Sequence, residues 1–457
     1  MERHEVMDRR GFLAQTGKGL AGAALAGTVL QTARPRRVLG ANERLNVSLI
    51  GCGGRGNMVA RSMIQEKLAD VAWVCDLHPK RREAAAEFMR QGMGRRPALA
   101  CDMRQVLDDK AVDAVIVATP DHWHTLATIR ACEAGKDVYV EKPHSHNLWE
   151  SRQMIAAASK YGRVVQVGAQ NRSAPYNLQA RERIAEGKLG KIHLVKVYNL
   201  KPGGPFHLGE ASAAPANFDW NEWHGPAAVK PYHERLFRAG WHHYWNYSGG
   251  DLSDDGVHQL DLAMMVMGQT KMPNAVSASG GRLAHQGDDS EVPDVLVATY
   301  DFDDYVMTFE HSNYPSYMEK TTTTIRRNDE LPYWTQNATR IELYGSDYMM
   351  ILGRHGGGWV IMTKRGRLEE KMYGRVPDVP HQRNFVECVK SRKQANANPA
   401  TLEVGTGLVH LANIAHRMGN RKLRYDAAAM RFTDCEKANQ LVRRQYRKGY
   451  EVGSIEG

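Results

Sequence analysis

Residues 45–56 read LNVSLIGCGGRG. Leu45 to Ile50 is a largely apolar stretch of strand length, interrupted by Asn46 and Ser48, and it feeds directly into glycines at 51, 53, 54 and 56. Gly51, Gly53 and Gly56 satisfy G-x-G-x-x-G. The first glycine permits a tight turn, the second lets backbone approach a pyrophosphate, and the third lets strand and helix pack closely. A helix opening there offers unpaired N–H groups to phosphate. The spacing is weak evidence alone, and its surroundings strengthen it. A helical stretch follows at about 57–67, then a second strand, VAWVCD (71–76), which ends in Asp76, about twenty residues on, where the fingerprint wants an acid. This predicts a dinucleotide site built from Gly51, Gly53, Gly54, Arg55, Gly56 and Asp76. A carboxylate at Asp76 accepts from ribose hydroxyls and repels a 2′-phosphate, so NAD is expected in preference to NADP. Lys80, Arg81 and Arg82 lie close enough to soften that preference.

The same rhythm continues outward. Strand-like runs at 111–119, 137–142 and 164–170 alternate with helical runs at 80–91, 124–135 and 147–162, the pattern of βαβ units and a parallel sheet. A Rossmann domain is expected over 42–168. Beyond it the pattern changes. Residues 201–248 are irregular and rich in Pro, Gly, Trp and His, whereas 193–200, 295–312 and 339–353 read as strands, and helices return after 382. Residues 169–457 are expected to form an α+β domain with a large, mostly antiparallel open sheet, used for substrate binding and oligomerisation.

Bulk properties exclude some functions. The formal charge of +10 divides into seven Lys/Arg against three Asp/Glu in residues 1–41 and a dispersed 54 against 48 elsewhere, so nucleic acid is not an expected partner. The basic run VRRQYRK (442–448) reads as a solvated helix face. Residues 7–35, MDRRGFLAQTGKGLAGAALAGTVLQTARP, join a twin arginine to an Ala/Gly/Leu run too short for a good membrane span. This predicts export by the twin-arginine machinery to the periplasm, with cleavage between Ala33 and Ala41 or an uncleaved anchor. None of the six cysteines forms a C-x-x-C pair. Free buried thiols are expected, because such a substrate folds before export.

Two further segments carry chemistry. DVYVEKPHSH (137–146) ends a strand on Glu141, Lys142 and Pro143, and GGDLSDDGVHQLDL (249–262) sets Asp254 and His258 four residues apart, on one helical face. Together with GCGGRG and TPDHWH (119–124), this ordered set resembles the Gfo/Idh/MocA oxidoreductase family, and AQNRS (169–173), FDWNEWHGPA (218–227) and HLANIAHRMG (410–419) resemble segments of its exported members. The resemblance implies that Lys142 lies beside the nicotinamide and the substrate hydroxyl, with Asp254 and His258 completing the catalytic set. His258 is expected as general acid/base. Lys142 is expected to polarise the oxygen, with a pKa lowered by a neighbouring positive nicotinamide. Thr119, Pro120, His124 and Glu141 are expected at the cofactor. Gln170, Arg172, Trp241 and Tyr247 are expected at the substrate, although the aromatic run Trp241–Tyr247 suits a core equally well. Asp121, His122 and His124 superficially suggest metal. They lack further ligands at metal-like spacing, so no metal is expected.

The reading that follows is an NAD(P)-dependent oxidoreductase acting on a CH–OH group of a sugar, glycoside or cyclitol, as a dimer or tetramer. Export favours a tightly bound cofactor. Two alternatives stay open: a redox-neutral, NAD-dependent glycoside hydrolase working through transient C3 oxidation, and a non-catalytic NAD- or sugar-binding protein. The former resembles α-N-acetylgalactosaminidases that carry a Y-P-T-H-like segment where this chain has LSDDGVH.

Overall fold

Six short strands form the first sheet: β1 (Leu45–Ile50), β2 (Ala69–Cys75), β3 (Ala98–Ala100), β4 (Ala114–Val117), β5 (Asp137–Val140) and β6 (Val165–Val167). The structure, a computed structural model, describes residues 44–313 and 317–456, so the expected export signal at 1–41 lies outside the described residues. The strands run parallel in the order β3-β2-β1-β4-β5-β6. Helices cover both faces, which is why β4, β5 and β6 are buried throughout, with only Asp137 and Gln166 as polar side chains among them. Strand order reverses between β1 and β4, and the carboxyl ends beside that reversal are where such sheets bind ligands. The three-residue β3 and the helix Met103–Asp108 were not anticipated, being too short to show a period. The first helix starts at Gly54 rather than near 57, so the last two glycines already belong to it.

The second sheet has ten strands: β7 (Ile192–Leu200), β8 (Ala275–Gly281), β9 (Val295–Asp301), β10 (Val306–Ser312), β11 (Arg340–Gly345), β12 (Tyr348–Gly353), β13 (Trp359–Thr363), β14 (Leu368–Met372), β15 (Leu423–Asp426) and β16 (Arg431–Phe432). Their order is β14-β13-β12-β11-β7-β10-β9-β8-β15-β16. Within this sheet, among the described residues, only the β7–β10 pair is parallel. One face packs on the helices Pro175–Ala185, Val257–Met267 and Pro399–Arg417 in a single large core. The other face stays open, and there Val297 and Val306 are 42% and 41% exposed.

The two sheets are tied together. The helix Asp378–Ser391 returns to pack on Gly54–Gln65, and Val167 N–H donates to Ala397 O at 2.8 Å. Arg172 grips Asp261 with contacts of 2.7–3.0 Å and donates to Thr401 O. This corrects the placement of Arg172 at the substrate. Its guanidinium is spent on a buried carboxylate from the helix Val257–Met267.

The run VRRQYRK is likewise neither helical nor free. Arg444 donates to Asn246 O at 2.8 Å, Arg447 to Asn221 Oδ1 at 2.7 Å, and Tyr446 to Glu150 Oε1 at 3.1 Å. The segment straps the 201–248 insert to the Rossmann domain, because Arg444 and Arg447 donate to oxygens of the insert while Tyr446 donates to Glu150 of the Rossmann domain.

Removing one partner of a buried pair strands the other charge, at about 3–5 kcal/mol. Arg172→Met is expected to lower Tm by several degrees in a thermal melt, and a parent-like Tm would show that Arg172 does not hold the domains together.

Candidate active site

A cavity of about 880 Å³ runs from the glycine turn, along the carboxyl ends of the parallel strands, to Lys142 and Asp254. Its wall explains the glycines. Gly51 has φ +93°, and a Cβ there would fall 2.5 Å from Ala118 O; one on Gly56 would fall 2.4 Å from Gly51 O. At Gly53 and Gly54 an added Cβ would meet nothing within 4 Å. Two glycines therefore make the turn possible, and two leave open backbone at a helix N-terminus, a cradle that suits a pyrophosphate. Thr119 Oγ1, also on the cavity wall, is buried without a partner. These features fit a dinucleotide.

Asp76 lines the cavity, and its carboxylate accepts from Cys52 N–H and His78 N–H, each at 2.8 Å. It braces the glycine turn as well as facing the site. Arg55 donates to Glu141 at 2.8 Å and lies 3.4 Å from Asp378. Glu141 thus holds the glycine loop to the end of β5. Gly168 leaves room for it, since a Cβ there would sit 2.6 Å from Glu141 Oε2. His124 packs its ring nitrogens 2.7 Å from Pro143 O and 2.8 Å from Thr119 O, and Pro120 N-caps the helix Asp121–Glu133.

Lys142 Nζ donates to Asp254 Oδ1 and to Asp254 O, both at 2.5 Å. Burial opposes its charge, but Asp254, Asp121 and Glu141 outweigh it and raise the Lys142 pKa above its ordinary value. In the chain itself the carboxylates hold the ammonium charged, and the lowering expected of a neighbouring nicotinamide would act against them. Asp254 belongs to a π-helical turn, Leu252–Gly256, that leads into the helix Val257–Met267. Such turns recur at functional sites. Burial would raise the Asp254 carboxyl, yet Lys142 and His242 hold it well below the usual range. His258 is buried outside the cavity wall. Burial, then Arg354 and Lys142, push its imidazole well below its usual value, so it is neutral.

Other expected residues fall elsewhere. Tyr247 is fully buried, its hydroxyl 3.0 Å from His224 Nδ1, within the aromatic core of the insert rather than at a substrate. Gln170 donates to Tyr139 at 3.3 Å and does not line the cavity. Trp241 does line it. His122 lies 3.1 Å from Trp223 O and serves packing, whereas His124 lines the cavity.

Sequence reasoning gave no site role to three features. Burial pushes Asp121 up to about 7 while Ser248 donates to it at 2.6 Å and Lys142 acts on it. His242 lines the cavity, stacks on Trp241 at 3.5 Å, and is held at about 4 by burial. The insert also reaches over the site: Asn217, Phe218, Phe237 and Arg238 wall the end of the cavity that holds Asp76 and Arg81. There Phe237 stacks on His78 and lies 3.9 Å below the Arg81 guanidinium.

Comparison with known proteins agrees with this geometry. Residues 45–169 match a family model described as an oxidoreductase family, NAD-binding Rossmann fold, and residues 203–306 and 361–452 match its companion, the C-terminal alpha/beta domain. The chain is similar to the scyllo-inositol 2-dehydrogenase (NAD(+)) of Bacillus subtilis, 30% identical over 36% of this chain and 39% of that protein. It is also similar to the D-glucoside 3-dehydrogenase of Escherichia coli, 27% identical over 59% and 67% respectively. The chain spans about half the length of the first curated relatives it matches. Among solved structures, the aldose-aldose oxidoreductase of Caulobacter crescentus shares the fold, with a TM-score of 0.60 at 20% identity over 84% of this chain and 100% of that one. With both domains matched in order and the Rossmann sheet joined to its mostly antiparallel partner, the chain belongs to the Gfo/Idh/MocA oxidoreductase family.

Proposed function

We propose that the chain is an NAD-dependent oxidoreductase that moves hydride to or from a hydroxyl-bearing carbon of a sugar, glycoside or cyclitol, and that it retains its cofactor between turnovers. The observation that carries this is the Lys142–Asp254 pair at 2.5 Å in the same cavity as the open glycine cradle. The relatives named as inositol and glucoside dehydrogenases support the substrate class.

Gly53, Gly54 and the N-terminus of the helix Gly54–Gln65 would hold the pyrophosphate. Asp76 would take the ribose hydroxyls and disfavour a 2′-phosphate, which argues for NAD over NADP. The bound nicotinamide supplies the hydride acceptor or donor. The chain's own task is the proton. Lys142, kept charged by Asp254, polarises the substrate oxygen and relays its proton. His258, neutral but buried behind the cavity wall, is the base that the resemblance to the family implies. Asp121, poised at about 7 beside Lys142, is a second reservoir near neutral pH.

Cofactor retention is supported by the insert. Phe218, Phe237 and Arg238 cover the Asp76 end of the cavity, and the Arg444–Arg447 strap pins the insert from outside. Retention in turn suits export, for which the Arg9–Arg10 pair and the following Ala/Gly/Leu run are the support: a chain folded before export carries its cofactor with it. The open sheet face with Val297 and Val306 suits packing between copies in a homo-oligomer.

The test is the near-ultraviolet absorbance of reduced nicotinamide in the purified protein, read with a panel of sugars, glycosides and cyclitols. Reduction by a panel member supports the proposal; glycoside cleavage without net reduction, or no bound dinucleotide, overturns it. Lys142→Ala and His258→Ala are each expected to lower turnover about 10²–10⁴-fold, and parent-like turnover would refute the proton path. Asp254 raises the Lys142 pKa, so Asp254→Asn lowers it. The alkaline limb of the kcat/KM profile should then move to lower pH by about one unit or more. Phe237→Ala is expected to speed dinucleotide release about tenfold, equivalent to about 1.4 kcal/mol, measured by dilution of loaded protein.

A further inference from the structure

The three carboxylates around the π turn divide their work. Asp254 faces Lys142. Asp255, the next residue, meets Lys201 at 2.9 Å and Arg354 at 3.1 Å, and makes a shorter pair with Lys320. Asp251 pairs with the same Lys201 and accepts from Asn199 at 3.0 Å. Three cations therefore share two carboxylates, and Arg326 adds its charge within reach of Asp255 and Arg354. His258, His311 and His355 border the group, and burial keeps each imidazole below its usual value.

Buried charges normally come with matching counter-charge. Here the side chains of Arg354 and Lys201 are 14% and 15% exposed, while Lys320 opens the cluster to solvent at 34%. Among the described residues, Asp255 is the one ion-pair partner of Arg354, which leaves most of its N–H donors unspent. Arg354 also lies within electrostatic reach of Asp254 and Arg55, two residues of the cavity wall, without lining the cavity itself. A molecule offering its hydroxyl to Lys142 thus has cations beside it, one residue along the same turn.

We propose that the substrate is an acidic sugar whose carboxylate is received by Arg354 and Lys320, with Lys201 behind them. The planar guanidinium fork matches a carboxylate, and the local excess of cations favours an anion. In the reaction a C–H hydride passes to NAD, the O–H proton passes to the protein, and C–O becomes C=O; the carboxylate is unchanged. This deepens the oxidoreductase reading and rests on it.

The test uses purified protein with its retained cofactor and matched pairs: glucose against glucuronate, galactose against galacturonate, and a sugar phosphate. Two readouts are taken, reduction of the cofactor and calorimetric affinity. The uronate is expected to exceed its neutral partner by about tenfold or more in both, with an advantage that shrinks as salt rises. Arg354→Met should cut the acid-to-neutral ratio of kcat/KM about tenfold. Lys320→Met, at the more exposed position, should cut it in the same direction, which guards against a folding defect in the first variant. Neutral sugars that bind and reduce as well as the uronates would overturn the acid site and leave the oxidoreductase standing. Preference for the phosphate would overturn the carboxylate. Uronates that bind without reducing the cofactor would keep the site and overturn the oxidoreductase. Absence of both would overturn the proposal.

Discussion

A lysine at the carboxyl end of a parallel strand stays charged in a cleft only if another part of the chain brings it a carboxylate. Lys142 ends the Rossmann half, and Asp254 comes from the π turn of the other half. Much of the remaining geometry serves that meeting. Arg172 and Asp261 lock the segment after β6 to the helix that continues the π turn. Arg55 and Glu141 fix the glycine loop against the residue preceding Lys142. The same constraint sets the electrostatics, since a charge that burial would extinguish is kept by the carboxylates of Asp254, Asp121 and Glu141.

Much of this was legible in the amino-acid order. Strands buried on both faces are rich in apolar residues, so β1, β4 and β5 announced themselves even with Asn46, Ser48 and Asp137 among them. The glycine spacing and Asp76 then located the cavity. Lys142 was legible because a proline ends its strand, whereas Asp254 was named from the resemblance of D-x-x-x-H to the family's pattern. What stayed hidden depends on distant partners. Arg172 near a motif reads as a substrate residue until Asp261, 89 positions on, claims it. Tyr247 reads as a sugar platform until His224 and the insert's aromatic core surround it. The raised Asp121 carboxyl comes from burial created by elements far away in sequence. D-x-x-x-H suggested an ordinary helical face, and the π turn instead sends neighbouring carboxylates to different partners.

The 201–248 insert shows a second limit. It has no hydrophobic period because it packs as a cluster of rings around short helices at Trp220–His224 and Glu234–Arg238. Its rings stack on His78 and carry Arg81, so a segment that looks like a loop walls one end of the cavity. Basic composition was equally ambiguous: the same cations that suggested a solvated face at 442–448 are spent on backbone carbonyls of that insert.

The strap has a consequence for biosynthesis. Ribosomes make the Rossmann strands first and the segment holding Arg444 and Arg447 long afterwards, so the insert cannot be pinned while most of the chain is being translated. The mouth of the cleft therefore stays free during elongation and is clasped only once residues near 450 have emerged. A nascent chain stalled before the strap would have its two sheets without the clasp.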